Sequence, residues 1–333
     1  MMNDALLQTN DLEVCYRARG YSINAVSDVA ITIGKNECVA LIGESGSGKS
    51  TVANTILRVL PENATVTKGE IVFKGKNLLA LSEEQMEELR GRDISMIFQD
   101  PHSSLNPVLR ISDQLTETIM THDPAMDKRK AKKKAIELLD LVRIPDPSMI
   151  LNRYPHQLSG GMAQRVVIAQ ALSSSPSLLI ADEPTSALDL TIQAQILKLI
   201  KQLMSRLKLS VLLITHDLSV VANLADRVYI MYAGKIVEED SLIGIYGNPK
   251  HPYTAMLLEA VKRLQGIGPS QQFIVEPMKA SEQSSCKFHP RCPVAEPKCR
   301  QKPPPYVSVG GSKKVLCWLF ADVTNNEREL SVS

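Results

Sequence analysis

Short apolar runs recur along most of the chain, each about as long as a strand and bounded by turn-forming or charged residues. Cys38–Ile42, Glu70–Phe73, Ile94–Phe98, Leu178–Ala181, Val211–Thr215 and Val228–Tyr232 read as strands. Elsewhere the period is that of a helix. Leu190–Leu207 puts Ile192, Ile196, Ile200, Leu203 and Leu207 on one face, and Asp127–Val142 does the same with Ile136, Leu139 and Val142. Strands alternating with helices predict an α/β domain around a largely parallel sheet. A mostly helical insert, about residues 112–172, interrupts the alternation. Beyond Pro252, prolines at 277, 290, 293, 297 and 303–305 exclude long helices. The change of character puts a boundary between Gly266 and Gln272, dividing the chain into a domain of residues 1–265 and a small Cys/Pro-rich extension, 266–333.

Composition narrows the class. The 333 residues include 38 basic and 36 acidic side chains, so no global excess of positive charge points to a nucleic-acid partner. Six of the seven residues Lys128–Lys134 are basic; a solvated helix start is the simpler reading, and contact with a membrane surface or partner is the alternative. No apolar run reaches the roughly 18 residues of a membrane span, and Met1–Glu13 lacks a signal-peptide layout. Cys15 and Cys38 lie in strand-like stretches and read as buried core thiols.

The chemistry begins after the strand Cys38–Ile42. Gly43, Glu44, Ser45, Gly46, Ser47, Gly48, Lys49 and Ser50, followed by Thr51 at the start of a helix-compatible run, fit the phosphate-loop pattern in its strand–loop–helix setting. Backbone N–H groups freed by the glycines wrap phosphate oxygens, and the helix start adds positive potential. Lys49 supplies a point charge and Ser50 a hydroxyl for Mg²⁺. A second strand, Leu178–Ala181, runs into Asp182 and Glu183. Asp182 is placed to hold the metal shell, and Glu183 to deprotonate a water in line with the γ-phosphate. Ser159-Gly160-Gly161 opens a further helical run, leaving a capped but bare helix start that suits an anion.

Phosphate loop, Gln99 after the strand Ile94–Phe98, Ser-Gly-Gly, Asp182-Glu183, Ser186-Ala-Leu-Asp189 and His216 occur in the order and spacing of ABC-type ATPases. The chain resembles that family over roughly residues 6–260. The resemblance implies a RecA-like core, an antiparallel β subdomain and a helical subdomain, with ATP and Mg²⁺ as ligands. It also implies a sandwich of two such domains, in which Ser159, Gly160 and Gly161 of one meet the γ-phosphate held by Lys49 of the other. In this frame Lys49, Glu183 and His216 are the catalytic candidates, and Ser50, Gln99 and Asp182 the Mg²⁺ ligands. Gln99 also falls at the contact with membrane subunits, and Asp189 at the dimer seam. Tyr16 resembles the aromatic that stacks on adenine, a core or edge-strand tyrosine being the alternative. Met162 stands where Gln is usual in the signature, which leaves the serine and glycines intact.

Tyr154-Pro-His-Gln-Leu158, Asn248-Pro-Lys-His-Pro-Tyr-Thr254 and Cys286-Lys-Phe-His-Pro-Arg-Cys292-Pro293 resemble the ATPase subunits of dipeptide, oligopeptide and nickel importers. The resemblance implies a peripheral subunit at the cytoplasmic face of the membrane, coupling ATP hydrolysis to uptake of di- or oligopeptides. Nickel or another chelated metal, and glycosides, are alternative cargoes. Its implied partners are a homologous second ATPase in a heterodimer, two permease subunits and an extracytoplasmic substrate-binding protein. A non-transport ABC ATPase would call for a second motif set or long heptads, and the sequence has neither. The proline-rich tail, poor in large apolar residues, needs a staple. Cys286, Cys292, Cys299 and Cys317 suit a [4Fe–4S] cluster, with zinc or free thiols as alternatives; His289 is a further candidate ligand or a local hydrogen-bonding group.

Overall fold

The structure, a computed structural model, describes residues 5–321 apart from 19, 187, 223 and 265–284. The boundary expected between Gly266 and Gln272 lies outside the described residues. Twelve described strands occur in chain order: β1 (Ala5–Ala18), β2 (Tyr21–Gly34), β3 (Cys38–Ile42), β4 (Ala64–Phe73), β5 (Lys76–Asn77), β6 (Ile94–Ile97), β7 (Leu178–Asp182), β8 (Ser210–Thr215), β9 (Arg227–Tyr232), β10 (Lys235–Ser241), β11 (Tyr306–Ser308) and β12 (Lys314–Leu316). They form two sheets. The larger runs β11-β12-β10-β9-β3-β8-β7-β6 and the smaller, antiparallel one β2-β1-β4-β5. In the larger sheet β9, β3, β8, β7 and β6 are mutually parallel.

Those parallel strands read as unbroken apolar runs because both of their faces are covered. Cys38, Ala40 and Ile42 of β3 face one core, together with Leu179, Ala181, Val211, Leu213, Val228 and Ile230 from its neighbours. Val39 and Leu41 face a second core with Leu178, Ile180, Leu212, Ile214, Tyr229 and Met231. The first core is closed by the helices Ile111–His122, Lys128–Leu141, Gly160–Ala171 and Leu190–Leu207, and the second by the antiparallel sheet and the helix Lys49–Ile56. Full burial of each Leu, Ile or Val contributes roughly 1.5–3 kcal/mol. The sheet is thus packed on both sides, and it is from the ends of β3, β6, β7 and β8 that the site projects.

Several sequence expectations need adjusting. Cys38 is buried as expected, but Cys15 is only half-buried, on the outer sheet. Along Leu190–Leu207 the core side chains are Ile196, Leu199, Ile200 and Leu203, whereas Leu207 is 38% exposed. Leu207 is the final residue of the helix, and just past it Lys208 takes a left-handed conformation, φ 55°, that ends the helix. In the basic run, Asp127 caps the helix Lys128–Leu141 by accepting the Lys130 N–H, and Ala131 and Ala135 supply its buried face. Lys130, Lys132 and Lys133 are exposed, the arrangement of a solvated helix face.

The C-terminal extension is joined to the main sheet by hydrogen bonds. β12 pairs antiparallel with β10, matching Glu238 with Val315 and Glu239 with Lys314, and β11 pairs with β12. Lys313, nearly buried, lies 3.1 Å from Asp240 and 3.9 Å from fully buried Glu238. Glu238 also accepts the N–H groups of Lys250 and His251 at 2.7 and 2.8 Å. Phe288, 2% exposed, packs among Tyr232, Tyr253 and His251. The staple expected of a metal is thus supplied in large part by a strand pair, a buried ion network and one aromatic cluster.

Candidate nucleotide site

The turn after β3 is built so that only glycine fits at two places. A Cβ on Gly43 would lie 2.1 Å from the Met231 carbonyl oxygen, and Gly48, at φ 105°, would strike the Ala25 carbonyl oxygen at 2.4 Å. Gly48 caps the helix Lys49–Ile56 without a side chain, so the first N–H groups of that helix stay open to an anion. Lys49 is 5% exposed, and its ammonium donates to the carbonyls of Gly43 at 2.7 Å and Glu44 at 3.0 Å. Burial pulls its pKa below the ordinary lysine value, while Glu183, Asp182 and Glu44 partly restore the charged form.

At the end of β7, Asp182 is 7% exposed and its Oδ1 is buried with no hydrogen-bond partner. Burial raises its pKa, as does Glu183, while Ser50 and Lys49 pull the other way. An orphaned buried carboxylate oxygen beside a hydroxyl is what a hard cation would satisfy. Oxygen donors from Asp182, Ser50 and Gln99 suit Mg²⁺. Glu183 sits at φ 47°, left-handed for a non-glycine residue, a strain of about 1–3 kcal/mol held by its N–H donating to Ile214 O at 2.8 Å. That turn aims its carboxylate between two neighbours. Gln99 Nε2 donates to Oε2 at 2.9 Å, and His216 Nδ1 lies 2.8 Å from Oε1. The fold thus brings Lys49, Asp182, Glu183, Gln99 and His216 to one place from four strand ends.

The remaining predicted residues fall elsewhere or at the edge. Tyr16, near the end of β1, has its hydroxyl 3.4 Å from the Thr51 hydroxyl, and so borders the helix that follows the loop. Ser45, Gly46 and Ser50 are exposed along the loop, whereas Ser47 is buried. Ser159 caps the helix Gly160–Ala171 by accepting the Met162 N–H at 3.3 Å, and is itself exposed. Gly160 and Gly161 lie against Leu188 and Ile192. A Cβ on Gly161 would come within 2.7 Å of Ile192 Cγ2, so the signature glycines let two helix starts approach. Asp189 caps the second of these helices through the Ile192 N–H at 3.0 Å and is exposed.

Sequence reasoning assigned no role to two residues that reach the loop. Tyr253 accepts the Glu44 N–H at 3.1 Å, and Arg291 forms a bidentate pair with the Glu44 carboxylate. Both lie in motifs visible in the sequence, but nothing along the chain shows their contact with Glu44. Among the cysteines of the extension, all four are unpaired and half-buried, and burial first, then the other three thiols, pushes Cys317 up to about 11. Among the described residues no group of three or more His, Cys, Asp or Glu side chains is placed to hold a metal ion. His289 Nδ1 lies 2.8 Å from the Cys286 carbonyl oxygen, a local hydrogen bond.

Comparison with known proteins shows the family. Residues 26–186 match the ABC transporter family model, and residues 237–299 the model of the oligopeptide/dipeptide transporter C-terminal region. The chain is 46% identical to the dipeptide transport ATP-binding protein DppD of Bacillus subtilis, over 95% of each chain. It is 49% identical to the oligopeptide transport ATP-binding protein OppD of the same organism, over 80% of this chain and 74% of the relative. A probable peptide ABC transporter ATP-binding protein of Sinorhizobium fredii is 44% identical over 97% of each. Among solved structures, the ATP-binding cassette MJ0796, a dimer in a post-hydrolysis state with ADP and Pi, superposes with a TM-score of 0.64 at 29% identity, over 71% of this chain and 98% of that one.

Proposed function

The chain belongs to the ATP-binding subunits of the oligopeptide/dipeptide ABC transporters, and from that membership we propose how its site couples ATP to peptide uptake. It is the ATPase of a peptide importer. Ser50, Asp182 and Gln99 would hold Mg²⁺, which would supply positive charge to screen the phosphates. Lys49 leaves the carbonyls of Gly43 and Glu44 to take the β- and γ-phosphates, with the N–H groups of residues 46–51 around them. Tyr16 stacks on the base. Glu183, oriented by Gln99 and His216, takes a proton from the attacking water, and His216 turns to the γ-phosphate.

The exposed signature Ser159-Gly160-Gly161 and Asp189 serve the site of a neighbouring ATPase, a homologous second subunit in a heterodimer. ATP bridges the two and its hydrolysis releases them. Phe98, next to Gln99 in the chain, and Val108, exposed at 49% and 75%, supply apolar surface for the permease subunits. Among the described residues no helix is long and apolar enough to cross a membrane, so attachment to the cytoplasmic face runs through those partners. A substrate-binding protein outside the cell delivers the peptide. The cysteines take no step in this scheme, whether they hold iron, zinc or neither.

The observation that carries the reading is the Glu183 carboxylate, fixed from two sides next to buried Lys49 and Asp182. Glu183→Gln in the assembled transporter keeps MgATP binding and lowers steady turnover by about 10²- to 10⁴-fold. Unchanged turnover would overturn the assignment.

A further inference from the structure

The C-terminal extension reaches across 247 residues to grip the phosphate loop at Glu44. Arg291 Nη1 donates to Glu44 Oε2 at 2.8 Å and Nη2 to Oε1 at 2.9 Å, the fork-on-carboxylate geometry of a strong ion pair. The guanidinium is held from behind. Its side chain is 9% exposed, and it lies 5.7 Å from the Tyr232 ring centroid and 6.0 Å from that of Phe288. Tyr253, fully buried, takes the Glu44 N–H, and the Glu44 carbonyl takes the Lys49 ammonium. A second strap runs in parallel. Lys287 donates to Ala233 O at 2.7 Å, and the next residue, Gly234, donates its N–H to Ser47 O at 2.9 Å. The loop is thus held at Glu44 and at Ser47 from one side.

The pairing answers an electrostatic problem. A phosphate loop works by positive potential, yet this one carries a carboxylate one residue after Gly43. Left free, Glu44 would repel the polyphosphate and compete for the Lys49 ammonium. Bound on both oxygens by Arg291, its charge is neutralised and its direction fixed. We propose that Arg291, supplied by the C-terminal extension, is a positioning residue of the nucleotide site: it neutralises and fixes Glu44 so that the loop and Lys49 are ready for the phosphates of MgATP. The proposal rests on the nucleotide-site reading above and adds to it a function for the extension.

The test is nucleotide affinity of the full chain, read with a fluorescent ATP analogue and Mg²⁺, beside far-ultraviolet circular dichroism. Arg291→Ala is expected to raise Kd about tenfold, the loss of one charge-assisted pair. Glu44→Gln added to it is expected to bring Kd back to within about threefold of wild type, because the freed negative charge is gone. A residue that merely held the extension in place would show no such rescue. Arg291→Lys, which keeps the charge without the fork, is expected to fall between, and stands in if the alanine variant does not fold. Wild-type affinity in both Arg291 variants, or a loss that Glu44→Gln leaves uncorrected, would overturn the proposal alone. Failure of the wild-type chain to bind MgATP would overturn the nucleotide-site reading and this proposal with it.

Discussion

The phosphate loop and the signature are both glycine-rich helix starts, yet the fold treats them in opposite ways. Around Lys49 the polar groups are engaged, with Lys49 and Asp182 buried: the ammonium on two carbonyls, Asp182 beside Ser50, Glu183 between Gln99 and His216. At Ser159 the serine itself is exposed, and the glycines after it serve close packing against Leu188 and Ile192, on either side of exposed Asp189. One region is a site with its electrostatics assembled, and the other is a bare row of donors. In the function proposed above, a single chain therefore presents one half-site for its own nucleotide and one that acts on a ligand held by a neighbour.

Breaking the second half should give the largest effect. Ser159→Arg fills the anion seat and is expected to lower ATP turnover of the assembled transporter by about 10²- to 10³-fold, as loss of oxyanion donors does. Nucleotide affinity of the isolated chain should stay unchanged, so a matching loss of affinity there would collapse the distinction. Lys49→Ala should do the reverse, weakening MgATP binding of the isolated chain by about 10- to 100-fold through loss of charged hydrogen bonds, which titration calorimetry would register.

The smallest effect concerns the brace behind the loop. His251 is buried, its pKa pushed down to about 3 by desolvation, and its Nδ1 accepts the Tyr253 N–H at 3.1 Å. The folded chain thus excludes a proton that the unfolded chain takes up near pH 6.5. The contribution is whole above pH 6.5 and is lost as pH falls toward 3, about 2 kcal/mol having gone by pH 5. Urea unfolding at pH 7.5 and 5 should show that loss in the wild type and a smaller one in His251→Gln, which keeps an acceptor. Equal losses in the two would remove His251 as the cause. Because Tyr253 also holds Glu44, acid should loosen the phosphate-loop half before the signature half.

Much of the arrangement around Lys49 was legible in the sequence because its parts are local. The apolar strands of a doubly covered sheet, the spacing Gly43 to Ser50 and the acid pair ending β7 each carry their meaning within a few residues. What escaped is long-range. The helical period could not tell that Leu207, in phase with the buried Ile196 and Ile200, is 38% exposed, since how far along a helix its core contact reaches is set by distant elements. The composition of the tail suggested a metal staple, because β11 and β12 are three residues each and acquire order only through β10.

The sequence by itself determined the motifs on which the proposed chemistry rests: a phosphate loop, an acid pair at a strand end and a Ser-Gly-Gly helix start, since helix starts and strand ends are set by neighbouring residues. Only the tertiary structure decided that Glu183 is held by Gln99 and His216, and that Arg291 of the extension closes on Glu44 of the loop. Such contacts join residues between 33 and 247 positions apart. Their free energy depends on desolvation and angle, which exist only once the sheet has brought the ends together.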